Sequence, residues 1–144
     1  MYCKELTKQF LVDLGITKVE NVGGEWIVHR LWYDNNKTTK TEKIIKVTMA
    51  TRKHKYRPDK IYPKVTFSAR GTGIMNIPLS RFLYAWFIGD IPAGYVVDHI
   101  DNNPYNNDIY NLQLLTITEN LEKRYEDNPE AWTNQWGKPK DWQN

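Results

Sequence analysis

Tyr95-Val96-Val97-Asp98-His99-Ile100-Asp101-Asn102-Asn103-Pro104-Tyr105-Asn106-Asn107, followed shortly by Asn111-Leu112-Gln113-Leu114-Leu115-Thr116-Ile117-Thr118-Glu119-Asn120, is the stretch that decides the fold. Tyr95 to Ile100 is apolar and rich in strand-forming residues, so it reads as a strand. Asp101 to Tyr110 is polar and full of asparagine, the composition of a loop whose side chains bond their own backbone. Asn111 to Leu115 reads as a second strand returning against the first. Thr116 with Glu119 three residues on is a capping box, which predicts a helix running to about Tyr125. Strand, loop, strand and capped helix form a ββα unit. It puts Asp98 and His99 at one end of the first strand and Asn120 in the first helical turn.

Outward from this unit, Leu79, Phe82, Leu83, Trp86 and Phe87 recur at helical spacing and predict a buried helix over Leu79 to Ile88, after Pro78. Lys64 to Ala69 and Ile74 to Ile77 read as strands around an Arg70-Gly71-Thr72-Gly73 turn. Glu25 to Tyr33 and Glu42 to Met49 read as another pair, joined by turn chemistry at Asp34-Asn35-Asn36-Lys37. Ala50 to Pro63 is basic, polar and interrupted by proline, and reads as a long loop. Lys4 to Leu14 has Leu6, Phe10, Leu11 and Leu14 on one face, so a short helix is expected there, ended by Gly15. Beyond Asp127 the pattern decays into a tail carrying Trp132, Trp136 and Trp142. These elements describe an α+β protein with a helix and basic β region over 1–63, a ββα core over 64–125 and a Trp-rich tail over 126–144.

The length of 144 residues suits one compact domain, and six Trp and nine Tyr supply bulky burial to a chain that is 40% hydrophobic. A single cysteine, Cys3, excludes an internal disulfide and a cysteine-rich zinc knuckle. No apolar run approaches the roughly 18 residues that a membrane span needs. Met1-Tyr2-Cys3-Lys4-Glu5 lacks a signal pattern. A soluble, cytoplasmic protein that does not engage membranes is the expectation.

The net charge of +3 conceals an uneven distribution. Eleven Lys or Arg lie between Lys37 and Arg70 against only Glu42 and Asp59, and the rest of the chain is net acidic. That asymmetry suits a polyanion partner for the middle third. A solvated hairpin whose lysines block edge pairing would look the same by charge alone.

The chemistry in the decisive stretch is specific. A carboxylate and an imidazole stand side by side, and asparagines recur 12 and 21 residues after the histidine. One carboxylate and one amide oxygen, Asp98 and Asn120, make a sparse site of hard oxygens of the kind that holds Mg²⁺ with water and phosphate oxygens completing the shell. A neutral imidazole beside it can take a proton from an attacking water at neutral pH. Adjacent strand residues point to opposite faces, so Asp98 and His99 need an irregular strand end to converge.

Leu79-Ser80-Arg81-Phe82-Leu83 through Phe87, Val97-Asp98-His99-Ile100-Asp101-Asn102-Asn103, Asn106-Asn107, Asn111-Leu112 and Thr116-x-x-Glu119-Asn120 together resemble the HNH endonucleases. The likeness covers roughly residues 64 to 125 and is closest to the phage and intron-homing branch, in which the last histidine of the family name is often asparagine. It implies a ββα-metal (His-Me finger) fold and hydrolysis of DNA phosphodiesters with Mg²⁺ or Mn²⁺. By the same resemblance Asp98 and Asn120 are metal ligands, His99 is the general base and Asn111 braces the catalytic loop. Many relatives carry histidine where this chain has Ser80, a position read as structural. Asparagine at 120 argues against a two-imidazole zinc site.

One metal and one base suit cutting one strand per encounter, by a monomer or by a dimer on DNA. Two other readings stay open: a catalytically silent DNA-binding module, and a phage-encoded host-interaction protein reusing the scaffold. DNA contact is expected from Arg52, Lys53, Lys55, Arg57, Lys64 and Arg70, and from Lys123 and Arg124 on the last helix. If about four to six of the eleven cations of the middle third meet phosphates, log K against log salt should fall with a slope of roughly −4 to −5. Charge removal at Arg52, Lys53, Lys55 and Arg57 together should flatten that slope and weaken binding to all sequences alike. A slope unchanged by the quadruple substitution, measured by fluorescence anisotropy, would decide for the solvated hairpin.

Overall fold

Helix α1 (Lys8–Asp13) starts where the Thr7 hydroxyl accepts the Phe10 amide proton at 3.1 Å. A computed structural model describes residues 4–33, 39–51, 61–69 and 73–127 of the chain. α1 is shorter than its apolar spacing suggests because Leu6 is held in a backbone bridge with Ile91, each amide donating to the other's carbonyl at 2.9 and 2.8 Å. Leu6, Leu11 and Leu14 are buried, whereas Phe10 turns out to solvent.

Strand β1 (Ile16–Val22) has no counterpart among the elements expected from the sequence. A bulge between Ile16 and Lys18 shifts its register, so its buried residues Ile16 and Val19 stand three apart and the alternation that marks a strand is lost. Strand β2 (Glu25–Tyr33) has the expected bounds and pairs antiparallel with both β1 and β3 (Lys40–Lys46). The Asp34–Lys37 turn lies outside the described residues.

The run expected as one returning strand serves two sheets. After Lys46 the chain leaves β2, and β4 (Thr48–Thr51) pairs instead with β5 (Ile61–Ala69), which pairs in turn with β6 (Gly73–Pro78). Ala50-Thr51 and Ile61 to Pro63 are therefore strand rather than loop, because Ala50 finds Tyr62 opposite and Thr51 finds Ile61. Residues 52–60 and 70–72 are outside the described set. β5 runs through position 63 without a break, with Tyr62 opposite Ala50 and Lys64 opposite Thr48.

Pro78 leads into α2 (Leu79–Leu83), which continues as one π turn over Tyr84–Ile88 and closes with the Gly89 amide on the Tyr84 carbonyl at 3.0 Å. The wider turn breaks the 3.6-residue spacing, and Phe87 and Ile88 come out to solvent while Leu79, Phe82, Leu83 and Ala85 stay buried. α2 packs on β5, β6 and the start of β7 (Tyr95–His99). β7 pairs antiparallel with β8 (Leu112–Thr116), and α3 (Ile117–Asp127) packs against both. The architecture is α+β with antiparallel sheets and few helices.

Leu11, Val28, Val65, Phe82, Leu83 and Ile91 anchor one core to which α1, the first two sheets and α2 all contribute. Two arginines are buried with it. Arg30 donates from Nε to the Leu14 carbonyl at 2.7 Å and lies 3.8 Å from the Trp32 ring centre. Arg81 donates to the carbonyls of Lys4 and Tyr95, fastening the N-terminal segment and β7 to α2. Among the described residues no helix is long and apolar enough to cross a membrane.

The joint between α1 and β1 depends on Gly15. Its φ is +92°, and a Cβ there would fall 2.3 Å from the Leu31 carbonyl oxygen. Gly15→Ala should therefore destabilise the fold by at least about 2 kcal/mol, from left-handed strain plus the clash. Urea denaturation measures it, and an unmoved midpoint would show that the joint relaxes without cost.

Candidate active site

The ββα unit forms as its local chemistry dictates. The Thr116 amide donates to Glu119 Oε1 at 2.9 Å and the Glu119 amide to Thr116 Oγ1 at 3.1 Å, a reciprocal cap that starts α3. The Thr116 amide also holds the Glu119 carboxyl below the usual carboxylate range. Asn120 is the fourth residue of this helix, half-buried, and among the described residues its side-chain amide has no hydrogen-bond partner.

Between β7 and β8 the chain turns sharply, with Asn102 at φ +64° and its amide donating to the His99 carbonyl at 2.9 Å. The loop then supplies its own partners. Asp101 accepts the Asn103 amide at 2.8 Å, the Asn106 side-chain amide at 2.8 Å and the Asn111 side-chain amide at 2.9 Å. Asn111 also donates to the Asn106 carbonyl at 2.9 Å and accepts from the Asp101 amide at 3.1 Å. Asn111 thus closes the loop on itself and, among the described residues, has no bond to Asp98 or His99 side chains.

His99 is fixed from the loop side. Its Nε2 lies 2.9 Å from Asn107 Oδ1, and Asn107, only 7% exposed, donates its Nδ2 to the Pro104 carbonyl at 3.2 Å. A carbonyl at Pro104 can only accept, so Nδ2 must face it and the amide oxygen must face the imidazole. Nε2 therefore carries the proton and Nδ1 keeps the lone pair. A lone pair on Nδ1 can accept a proton.

Asp98 is fixed from the opposite side. Its Oδ2 accepts from Gln113 Nε2 at 2.9 Å, across the β7–β8 pair, and from Lys123 Nζ at 2.9 Å. Lys123 also donates to the His99 carbonyl at 3.1 Å and to Asn102 Oδ1 at 2.6 Å. Both of the carboxylate's partners among the described residues are on Oδ2. Oδ1 and the Asn120 amide oxygen are each hard oxygens of a kind that suits Mg²⁺. Among the described residues no three His, Cys, Asp or Glu side chains gather into a group that could hold a metal ion. A cavity of about 660 Å³ lies between this loop and β1–β2; it takes Asn107 into its wall but not Asp98, His99 or Asn120.

Of the residues expected to meet DNA, Arg52, Lys53, Lys55, Arg57 and Arg70 lie outside the described set. Lys64 sits on β5 and donates to Asn76 Oδ1 at 3.1 Å. Arg124 is exposed on α3, while Lys123 is turned inward to Asp98. Asn107 was not expected at the site, and Lys123, expected to meet DNA, pairs with Asp98 instead. Asn107 hid in a run of loop-forming asparagines, with nothing local to mark it as the buried one. Lys123 stands three residues after Asn120, hence on the same helical face, but that spacing does not name Asp98 as its partner.

Residues 79–122 match the family model of the HNH endonucleases. The chain is 37% identical over 59 residues to a protein of Bacillus subtilis (strain 168) named "SPbeta prophage-derived putative HNH homing endonuclease YosQ". That stretch is 41% of this chain and 34% of the relative, so the match spans about a third of the relative's length. No solved structure matches the chain.

The Asp101 network has a pH signature. Three bonds, the largest effect coming from the Asn106 amide, hold the Asp101 carboxyl down at about 2. A carboxyl depressed on folding stabilises above its unfolded value near 4, and that contribution disappears as pH falls through about 2. A carboxyl-carbon NMR titration should accordingly give Asp101 a midpoint near 2. A midpoint of about 4, the ordinary value, would mean that the loop is not closed on this carboxylate.

Proposed function

We propose that the chain is a divalent-metal-dependent DNA endonuclease that hydrolyses phosphodiester bonds one strand at a time, of phage or homing type. The observation that carries this reading is the His99–Asn107 bond beside Asp98. It leaves Nδ1 of the imidazole to accept a proton, next to a carboxylate, on a hairpin inside the segment that matches the HNH endonucleases, which supports His99 as the base. The similar Bacillus subtilis protein carries the name "SPbeta prophage-derived putative HNH homing endonuclease YosQ", which supports the phage or homing assignment. The ββα-metal unit is assigned to residues 64–125.

A phosphodiester repels nucleophiles by its charge and loses a poor alkoxide. In this reading His99 Nδ1 accepts the proton of a water that attacks phosphorus in line with the leaving oxygen. Asn107 keeps Nε2–H engaged throughout, so the imidazolium that forms does not swing away. Asp98 and Asn120 would hold Mg²⁺ or Mn²⁺, which when bound polarises the phosphoryl oxygen and stabilises the leaving oxygen. Asn111 acts through the loop, as a brace. With one such constellation per chain, each encounter nicks, and a double-strand break takes a dimer or two successive events.

A supercoiled-plasmid assay with Mg²⁺, and with a chelator in its place, tests the reading directly. Nicked circles should appear only with the metal. His99→Ala should slow cleavage by about 10² to 10⁴ while DNA still binds. Asp98→Ala should abolish it at ordinary Mg²⁺, and Asn120→Ala should weaken it in a way that more metal restores. Nicking by His99→Ala at nearly the parent rate would remove the imidazole from the mechanism. No nicking under any metal condition, with DNA binding intact, would favour a silent DNA-binding module.

A further inference from the structure

We propose that Lys123 is a positioning residue of the metal site: its ammonium clamps Asp98 and keeps the free protein's affinity for a divalent cation low, so that the cation is taken up together with the substrate's phosphate. The proposal rests on the reading of Asp98 as a metal ligand.

The observation is a cation already seated among oxygens. Lys123 Nζ lies 2.9 Å from Asp98 Oδ2, 3.1 Å from the His99 carbonyl and 2.6 Å from Asn102 Oδ1. Carboxylate, carbonyl and amide oxygens are also the ligands a hard cation prefers. The pair is largely withdrawn from water, with Lys123 21% and Asp98 13% exposed at the side chain. Its position is built in from both ends. α3 carries Lys123 one turn beyond Asn120, and the left-handed turn at Asn102 brings that amide oxygen back over the strand end.

The electrostatic consequence follows from charge count. Asp98 is the one carboxylate assigned to the ion, Asn120 is neutral, and Lys123 cancels the charge of Asp98. Cation affinity in oxygen sites rises with the ligand charge supplied. Here the protein supplies none net, and a dication beside Asp98 is also repelled by the ammonium. Even with water-like screening, repulsion between charges +2 and +1 a few ångströms apart is worth roughly a factor of ten in affinity. A phosphate brings the missing negative charge. The clamp also holds Asp98 Oδ2 on the α3 side, leaving Oδ1 as the oxygen presented.

The test is Mn²⁺ alone, titrated into the full chain without DNA and followed by the loss of the free-ion electron paramagnetic resonance signal. Lys123→Met keeps most of the side-chain stem and removes the charge; Lys123→Gln removes it differently; Lys123→Arg preserves it. Met and Gln variants should each bind Mn²⁺ about tenfold tighter than the parent, Arg should bind as the parent does, and Asp98→Ala in the Met background should abolish the gain. Affinity unchanged or weaker in the Met and Gln variants overturns the proposal while leaving the metal reading standing. So does an Arg variant that tightens as much as Met does, since packing rather than charge would then be responsible. If Asp98→Ala alters Mn²⁺ binding in neither the parent nor the Met background, the assignment of Asp98 as a ligand fails, and this proposal with it.

Discussion

Between β7 and β8 the chain makes only short-range turn bonds and a single backbone bond across its base, and Asp101 is what closes it. A carboxylate has enough lone pairs to accept several donors at once, and here it gathers one backbone amide and two side-chain amides from three positions along the loop. An asparagine at 101 would offer a single neutral oxygen and could not serve them all. Everything that matters chemically hangs on that closure. Asn107 reaches His99 only if the loop is folded back over the strand end, and Asn111 keeps the β8 end of the loop in register with Ile100, whose amide donates to the Asn111 carbonyl at 2.8 Å.

The His99 and Asp98 side chains are thus held by different parts of the fold. His99 is oriented by the loop, through a neutral amide whose own donor is committed to a backbone carbonyl. Asp98 is oriented by β8 and α3, through an amide and an ammonium. A strand alternates its side chains, so neighbouring residues on one strand cannot both be braced from one side. Drawing partners from opposite sides lets adjacent residues act at one strand end.

The scaffold beneath the hairpin is fastened in a comparable way. Arg81 and Arg30 are buried, and both spend hydrogen bonds on backbone carbonyls: Lys4 and Tyr95 for one, Leu14 for the other. A guanidinium has donors to spare, and carbonyls at segment ends otherwise lack partners. Arg81 is the more consequential, because it ties the start of β7 to α2 inside the core and so gives the hairpin a rigid base.

The sequence alone was enough for the ββα unit, because its signals are local: an apolar run, an asparagine-rich loop, a returning strand and a capping box, each set within a few residues. It was enough for β2 for the same reason, and the spacing of Asp98, His99, Asn111 and Asn120 marked the candidate site before any geometry was known. β1 was not legible, since a bulge erased its alternation, nor was the division of the Glu42–Met49 run between two sheets, which depends on partners distant in the chain. The identity of the imidazole's brace and the destination of Lys123 were likewise decided only by the tertiary structure. One asparagine among several is singled out by burial, and one lysine on an exposed-looking helix is turned inward by the oxygens it meets. Neither burial nor a partner across the fold is written into the residues that need it.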